Sequence, residues 1–196
     1  MAGHARYTAL FDACVLYPIA VADSLMSLAT TSLFAAKWTV EIENEWMRSL
    51  LRNRPELDGK IELRRDAMRD PLPDWEVPEP AWKALAGAET MKRMPDPGDV
   101  HVLAAAIAGH VDCIVTSNLK HFPVEIISLF GMEVIDPDRF IIHQWDLHQI
   151  TVISAFKRMR ARWKNADATA ENFATAIERG GLPATGQRLR EAAELI

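Results

Sequence analysis

Acidic side chains stand at separate points of this chain, where a folded protein could gather them around a cation. Asp12 follows an apolar segment near the N-terminus, and Asp99 lies at the start of an alanine-rich segment. Asn118 follows a third apolar segment and carries an amide oxygen. Hard divalent cations such as Mg²⁺ prefer oxygen ligands, and a pair of them can activate a water and stabilise the leaving oxygen of a phosphodiester. The pattern therefore predicts metal-assisted hydrolysis of a phosphodiester.

Each of these residues also has an ordinary structural explanation. Asp96, Pro97 and Asp99 match the N-cap, first and third positions of a helix, where short polar side chains and acids stabilise the helix start. Because Asp96 is the better cap, Asp99 is freer to do something else. Asp12 and Asn118 could be turn residues that follow strands.

The order of the predicted elements indicates a parallel α/β sheet flanked by helices. We predict strands at residues 6–11, 111–116 and 132–135, helices at residues 19–36, 39–52, 55–68, 81–91, 96–109 and 123–130, and a proline-rich loop at residues 70–80. Strands that alternate with helices pair in parallel through right-handed crossovers. Ligands bind beyond the carboxyl ends of such strands, where Asp12 and Asn118 would stand.

The pattern is wholly helical after Asp138. Helices are predicted at residues 152–164, 169–179 and 182–195. We expect an α/β domain at residues 1–145 and an all-helical extension at residues 146–196 that packs on it.

The helix predicted at residues 39–52 offers three glutamates. Its apolar stripe consists of Trp38, Ile42, Trp46 and Leu50. Glu45 falls at the edge of this stripe, where an acid can face a crevice beside the core. Glu41 lies farther toward solvent and Glu43 falls on the other side of the stripe. Periodicity alone does not choose among the three.

The net charge of −5 excludes a global basic field that would attract nucleic acid. A nucleic acid would therefore need a local basic patch. Two clusters could contact phosphates, and a solubilising surface is the alternative for each. One cluster is Arg48, Arg52 and Arg54; the other is Lys157, Arg158, Arg160, Arg162 and Lys164.

The apolar residues are numerous enough for a core but form no membrane segment. Hydrophobic residues make up 49% of the chain, yet no run is long enough to span a bilayer and no signal peptide is recognisable. Cys14 and Cys113 each lie in or beside an apolar run, which suits reduced, buried thiols rather than a disulfide framework. We expect a cytoplasmic protein without a membrane partner.

Four segments resemble those of PIN-domain ribonucleases. Residues 11–18 (FDACVLYP) and 38–46 (WTVEIENEW) resemble the opening of that domain, and residues 96–106 (DPGDVHVLAAA) and 114–118 (IVTSN) resemble its second half. The resemblance covers residues 6 to about 140 and is closest to bacterial proteins grouped with VapC toxins. The tail also resembles the helical extension of that subgroup.

The resemblance implies that Asp12, Glu45 and Asp99 are the catalytic and metal-binding acids. Glu45 is the match because the family acid precedes an apolar and then a basic residue. Asn118 stands where the family often has another Asp, so it would orient a water or touch phosphate. Thr116 would position a carboxylate through its hydroxyl.

The resemblance further implies Mg²⁺ or Mn²⁺ as cofactor, RNA as substrate, an antitoxin protein as partner and a homodimer. The leading hypothesis is a metal-dependent endoribonuclease, the toxin of a toxin–antitoxin pair. A nuclease of RNA maturation or decay is one alternative. A non-catalytic module that binds RNA or a partner is another, because Asn118 replaces an acid. An aspartyl-nucleophile phosphatase is disfavoured because Cys14 occupies the position of its second Asp.

Overall fold

The computed structural model describes residues 6–163 and 168–196. The strands are β1 Thr8–Phe11, β2 Ala35–Lys37, β3 Cys113–Val115 and β4 Glu133–Ile135. The helices are α1 Ala13–Leu16, α2 Ile19–Ala29, α3 Val40–Asn53, α4 Ile61–Arg69, α5 Glu79–Ala86, α6 Val100–Ala108, α7 Val124–Ile127, α8 Pro137–Ala161, α9 Ala170–Arg179 and α10 Pro183–Glu191. Within these described ranges, no helix has both the length and the apolar character that crossing a bilayer requires.

The four strands form one parallel sheet in the order β2-β1-β3-β4, which confirms the predicted α/β class. The central pair is in register with Phe11 opposite Val115. The amide of Asp12 donates to the carbonyl of Val115 at 3.2 Å. The residues that follow β1 and β3 therefore lie side by side at one edge of the sheet.

The prediction of a continuous helix over residues 19–36 is wrong. Helix α2 ends at Ala29, the chain turns through Ser32 with a φ of 68°, and β2 follows. The sequence of β2, Ala-Ala-Lys, has neither β-branched residues nor alternating polarity, so it carries no strand signal. Pairing with β1 and burial of the preceding Phe34 override the local helix propensity of the alanines.

Helix α8 starts at Pro137, earlier than the helix predicted at residues 152–164. It bends at His148, whose φ of −140° is not helical. The end of the predicted helix, Lys164, lies outside the described residues. The predicted boundary between residues 145 and 146 falls inside α8 and stays a prediction. Phe173 of α9 packs edge-on against Phe156 of α8 and against Trp163, which follows α8.

Candidate functional site

An open cavity of about 660 Å³ lies where the chain leaves β1 and β3. The three predicted acids and Asn118 line it together with two of the predicted basic residues: Asp12, Glu45, Asp99, Asn118, Arg48 and Arg52. Lys157, Arg158 and Arg160 are not among its lining residues. The fold therefore brings the acids of three distant segments together and leaves the basic cluster of α8 outside their cavity.

Asp12 is held from both sides of the sheet edge. It stands at the N-cap of α1, yet its side chain makes no capping hydrogen bond. Instead, its Oδ2 accepts from the hydroxyl of Thr116 at 2.6 Å and from the thiol of Cys14 at 3.0 Å. Burial, and then the charge of Asp12, raise the pKa of Cys14 to about 12, so the thiol keeps its proton at neutral pH. Asp12 is thus ordered by one side chain of α1, Cys14, and by one side chain that follows β3, Thr116.

The three glutamates of α3 have different surroundings. Glu43 is buried, pairs with Arg69 and accepts from the indole Nε1 of Trp38 at 2.8 Å. Glu41 pairs with the exposed Arg48 at 2.8 Å. Glu45 lines the cavity. The choice that periodicity left open is made by packing, since Glu45 is the glutamate of α3 beside Asp12 and Asp99.

The side chains of the two aspartates before α6, Asp96 and Asp99, also make different contacts. The Oδ1 of Asp96 accepts from the amide of Gly98 at 2.8 Å and so caps the short 3-10 helix Pro97–Asp99. Asp99 precedes α6 without a capping hydrogen bond from its side chain. Its Oδ2 lies 2.7 Å from Nδ1 of His121. This division agrees with the expectation that Asp96 is the cap and Asp99 the freer acid.

The electrostatics of the cavity favour a cation. Burial raises the pKa of Glu45 to about 7, and the charge of Asp12 contributes next. Burial also raises the pKa of Asp99, although the hydrogen bond from His121 acts in the opposite direction. Each of these pKa shifts arises because the charged form of the carboxylate is destabilised by burial and by the negative charge of nearby acids. A divalent cation would remove this mutual repulsion.

Each of the three acids that line the cavity could offer an oxygen ligand to a cation. Across the described residues, the side-chain hydrogen bonds of Asp12, Glu45 and Asp99 each involve one carboxylate oxygen: Oδ2, Oε1 and Oδ2. The other oxygen of each acid is left for a ligand. Oxygen donors of this kind suit Mg²⁺ and Mn²⁺.

A second group of potential ligands shares Asp99. Ligand atoms of Asp96, Asp99 and His121 lie within 4.8 Å of one another. In this group, Nδ1 of His121 already contacts Oδ2 of Asp99, and Oδ1 of Asp96 already accepts a hydrogen bond from the amide of Gly98. Asp99 is common to both sets, and we favour Asp12, Glu45 and Asp99 because all three line the cavity and each keeps one carboxylate oxygen outside its side-chain hydrogen bonds.

Three residues that contact the acids were not assigned a role from the sequence. They are Cys14 beside Asp12, His101 with Nε2 3.1 Å from Glu45, and His121 beside Asp99. His101 and His121 reach acids 56 and 22 residues away in the chain. No spacing in the sequence signals such contacts, because they depend on how α3, α6 and the segment after β3 pack.

The basic residues divide between the cavity and the surface of the tail. Arg48 and Arg52 line the cavity. Lys157 donates to the carbonyl of Leu195 at 3.0 Å, and Arg158 donates to the hydroxyl of Ser154 at 2.8 Å. The second pair therefore has local partners within the C-terminal region.

Models of known protein families match both the α/β part of the chain and its helical C-terminal part. A carboxylate-lined cavity at the carboxyl edge of a parallel sheet defines a class of α/β proteins with a candidate cation site. Residues 8–120 match the family model of the PIN domain, and residues 137–191 match that of the VapC50 C-terminal domain. The first match spans more than half of the 196 residues, and the chain belongs to the PIN-domain family. The resemblance to VapC-like PIN proteins with a C-terminal extension is thus confirmed.

A relative with detectable similarity comes from Mycobacterium tuberculosis. It is named "Putative ribonuclease VapC50" and is 43% identical to this chain over 51 residues. The aligned part is 26% of this chain and 30% of the relative. The comparison therefore spans less than a third of that protein's length.

Proposed function

We propose that this protein is a metal-dependent endoribonuclease that cleaves RNA phosphodiester bonds. The observation that carries the proposal is the meeting of Asp12, Glu45 and Asp99 in one cavity, with the pKa of Glu45 raised to about 7. Acids arranged in this way are costly for a fold and characteristic of functional sites. The similarity to a relative named as a ribonuclease supports the same activity.

In this proposal, Asp12, Glu45 and Asp99 hold Mg²⁺ or Mn²⁺. When bound, the cation supplies positive charge that polarises the scissile phosphate and acidifies an attacking water. Arg48 and Arg52 contact neighbouring phosphates, because they line the same cavity.

Two further residues have supporting roles at the same edge of the sheet. The amide side chain of Asn118 orients a water or touches the phosphate, since it lines the cavity without carrying a charge. The hydroxyl of Thr116 holds the Asp12 carboxylate in place.

The cellular role that we propose is that of a toxin held by an antitoxin protein in the cytoplasm, with a homodimer as the working unit. The similarity of the tail to the VapC50 C-terminal domain supports this role. We keep the division into a PIN domain at residues 1–145 and an extension at residues 146–196. A gene for a small DNA-binding protein with a disordered tail, next to the gene of this chain, would support the antitoxin.

A non-catalytic RNA- or partner-binding module is the second candidate. The observation in its favour is Asn118, because a neutral amide binds cations more weakly than a carboxylate. A nuclease of RNA maturation or decay is the alternative role for the enzyme.

The test is cleavage of a mixed RNA pool with Mn²⁺, with Mg²⁺ and with EDTA, together with calorimetric titration of Mn²⁺. We expect metal-dependent cleavage that Asp12→Asn and Asp99→Asn abolish without unfolding the protein. Asp146→Asn is the control, since Asp146 forms an exposed ion pair with Arg188. Tight RNA binding without metal-dependent cleavage would favour the binding module, and full activity of folded Asp99→Asn would remove the proposal.

A further inference from the structure

The thiol of Cys14 contacts the same oxygen of Asp12 as the hydroxyl of Thr116. Its Sγ lies 3.0 Å from Oδ2 of Asp12, and the Thr116 Oγ1 lies 2.6 Å from that atom. The two donors belong to different segments, since Cys14 is in the first turn of α1 and Thr116 follows β3. A single carboxylate oxygen is therefore held by two distant segments.

Both donors are themselves held by backbone amides. The amide of Ser117 donates to Sγ of Cys14 at 3.2 Å, and the amide of Asn118 donates to Oγ1 of Thr116 at 3.0 Å. Each amide occupies the acceptor side of the thiol or hydroxyl and so directs its proton away. Successive hydrogen bonds polarise one another. The bond from the Ser117 amide to Cys14 and the bond from the Asn118 amide to Thr116 therefore strengthen both contacts with Asp12.

The proton of the thiol has one preferred acceptor. Sγ of Cys14 also lies 3.3 Å from Oγ1 of Thr116, so a bond between these two groups is the alternative. A carboxylate is a much stronger acceptor than a hydroxyl, and the Asp12 contact is the shorter of the two. The thiol proton therefore belongs to the bond with Asp12.

We propose that Cys14 is a positioning residue for the Asp12 carboxylate. With Thr116 it fixes Oδ2 to the protein, so Oδ1 is the oxygen that Asp12 presents to a cation. The terminal torsion of an aspartate is broad, and two donors on one oxygen restrict it. This inference rests on the proposed function, because it assigns Asp12 as a cation ligand.

A positioning role and a packing role make opposite demands on residue 14. If the half-buried Cys14 only fills space, Ala suits the site better than Ser, because a cysteine in a packing role behaves as a small apolar side chain. If Cys14 holds Asp12, Ser replaces it better, because a hydroxyl donates a hydrogen bond and Ala does not. The order of the two variants therefore separates the roles.

The experiment compares Cys14→Ser and Cys14→Ala in the full chain by Mn²⁺ calorimetry, RNA cleavage and thermal unfolding. We expect Cys14→Ala to weaken Mn²⁺ binding and cleavage by about tenfold or more, and Cys14→Ser to recover most of the loss. Cys113→Ala is the control for loss of a thiol, because Cys113 is buried in β3 and does not line the cavity. Equal behaviour of Cys14→Ala and the wild type, or weaker binding by Ser than by Ala, overturns the inference.

The infrared S–H stretching bands give a readout that does not depend on metal or RNA. The chain has two cysteines, so Cys113→Ala assigns the two bands. We expect the Cys14 band to show a strong hydrogen bond that weakens in Asp12→Asn. An unchanged position of the Cys14 band in Asp12→Asn overturns the inference.

The failure of this inference is distinguishable from failure of the proposed function. If the wild type binds Mn²⁺ and cleaves RNA, and Cys14→Ala has the same Mn²⁺ affinity and cleavage rate, only the role of Cys14 is refuted. A wild-type protein that does neither removes the proposed function, and the role of Cys14 falls with it.

Discussion

The buried Glu43 of α3 forms an ion pair with the partly buried Arg69 of α4. Nε of Arg69 donates to Oε1 of Glu43 at 2.8 Å, and Nη2 contacts the second oxygen. The guanidinium also lies over the ring of Trp75, with its carbon 4.4 Å from the ring centroid. Glu43 is thus committed to the core, whereas Glu45, two residues later, lines the cavity of the acids.

Substitution of Glu43 and of Glu45 by Gln should have opposite consequences. Glu43→Gln leaves the partly buried Arg69 without its counter-charge and should lower the free energy of unfolding by about 3 kcal/mol. Glu45→Gln removes a charge that is unfavourable in its buried surroundings, so it should leave stability at neutral pH unchanged or higher while Mn²⁺ binding is weakened. Urea unfolding and Mn²⁺ calorimetry of both variants measure the two effects. Glu41→Gln is the matched control from the same helix, because Glu41 is in an exposed pair.

The pH dependence of folding should carry the signature of Glu45. Burial raises its pKa from 4.5 to about 7. Between these values the folded protein holds a proton that the unfolded chain has released, so this contribution to stability is complete below 4.5 and is lost as the pH rises to 7. Unfolding curves of Glu45→Gln should lack this part of the decline. An identical pH profile for both proteins would contradict the assigned shift.

Cation affinity should change with pH in the opposite direction. A cation must displace the proton of Glu45, so Mn²⁺ affinity should rise with pH until it levels off above about 7, by up to about tenfold for each pH unit below that value. Calorimetric titrations over this range test the effect. In Glu45→Gln the residual affinity should be nearly flat over the same interval, and a flat profile for the wild type would argue against Glu45 as a ligand.

Arg52 should contribute to RNA affinity more than Arg158 does. Both are exposed, but Arg52 lines the cavity and Arg158 does not. In an Asp99→Asn background that leaves RNA intact, Arg52→Ala should weaken binding of single-stranded RNA and reduce the slope of log affinity against log salt by about 0.7. Fluorescence anisotropy at several salt concentrations measures both. The assignment fails if Arg158→Ala has the larger effect.

Gly180 should not tolerate a side chain, whereas Gly87 should. Each follows a helix with a negative φ, but a Cβ on Gly180 would lie 2.3 Å from Cβ of Ala20 in α2. The nearest atom to a Cβ on Gly87 is the carbonyl oxygen of Ala84 at 3.8 Å. Gly180→Ala should therefore destabilise the protein by about 1–3 kcal/mol through overpacking. Gly87→Ala should be neutral or slightly stabilising, and equal unfolding midpoints would refute this distinction.

Asp138 should anchor the C-terminal helices. Its carboxylate is buried and accepts from the amides of Ala184 and Thr185 at 2.7 and 2.9 Å, at the start of α10. Asp138→Ala leaves these donors without their acceptor and should cost about 3 kcal/mol. Hydrogen exchange should accelerate in α10 first. Asp146→Asn, which affects an exposed pair, should be close to neutral, and similar stability losses for both variants would speak against the anchor.

The acids of the cavity were predictable to different degrees. Asp12 and Asn118 follow apolar strand patterns, so their place at the carboxyl edge of a parallel sheet could be inferred. The capping role of Asp96 could be inferred too, because capping is local chemistry. Glu45 was not separable from its neighbours by periodicity, since burial of Glu43 depends on Arg69, which comes from α4.

The elements that were predicted wrongly are those that depend on partners. Strand β2 consists of Ala35, Ala36 and Lys37, whose types favour a helix, and it forms because β1 offers it hydrogen bonds. Helix α8 continues from Pro137 through Trp145, which is buried against Phe156. Local pattern gave no signal for β2. It predicted helical structure after Asp138 but did not join residues 137–151 to the helix predicted from residue 152, because that continuity depends on packing.

The order of apolar and polar residues by itself determined the parallel α/β class, the helical tail and the positions at which acids follow strands, because periodicity and capping act over a few residues. Only the tertiary structure decided which glutamate faces the cavity and which donors hold each carboxylate. Those outcomes depend on burial and on side chains that meet across the fold, and neither quantity exists until the chain has packed.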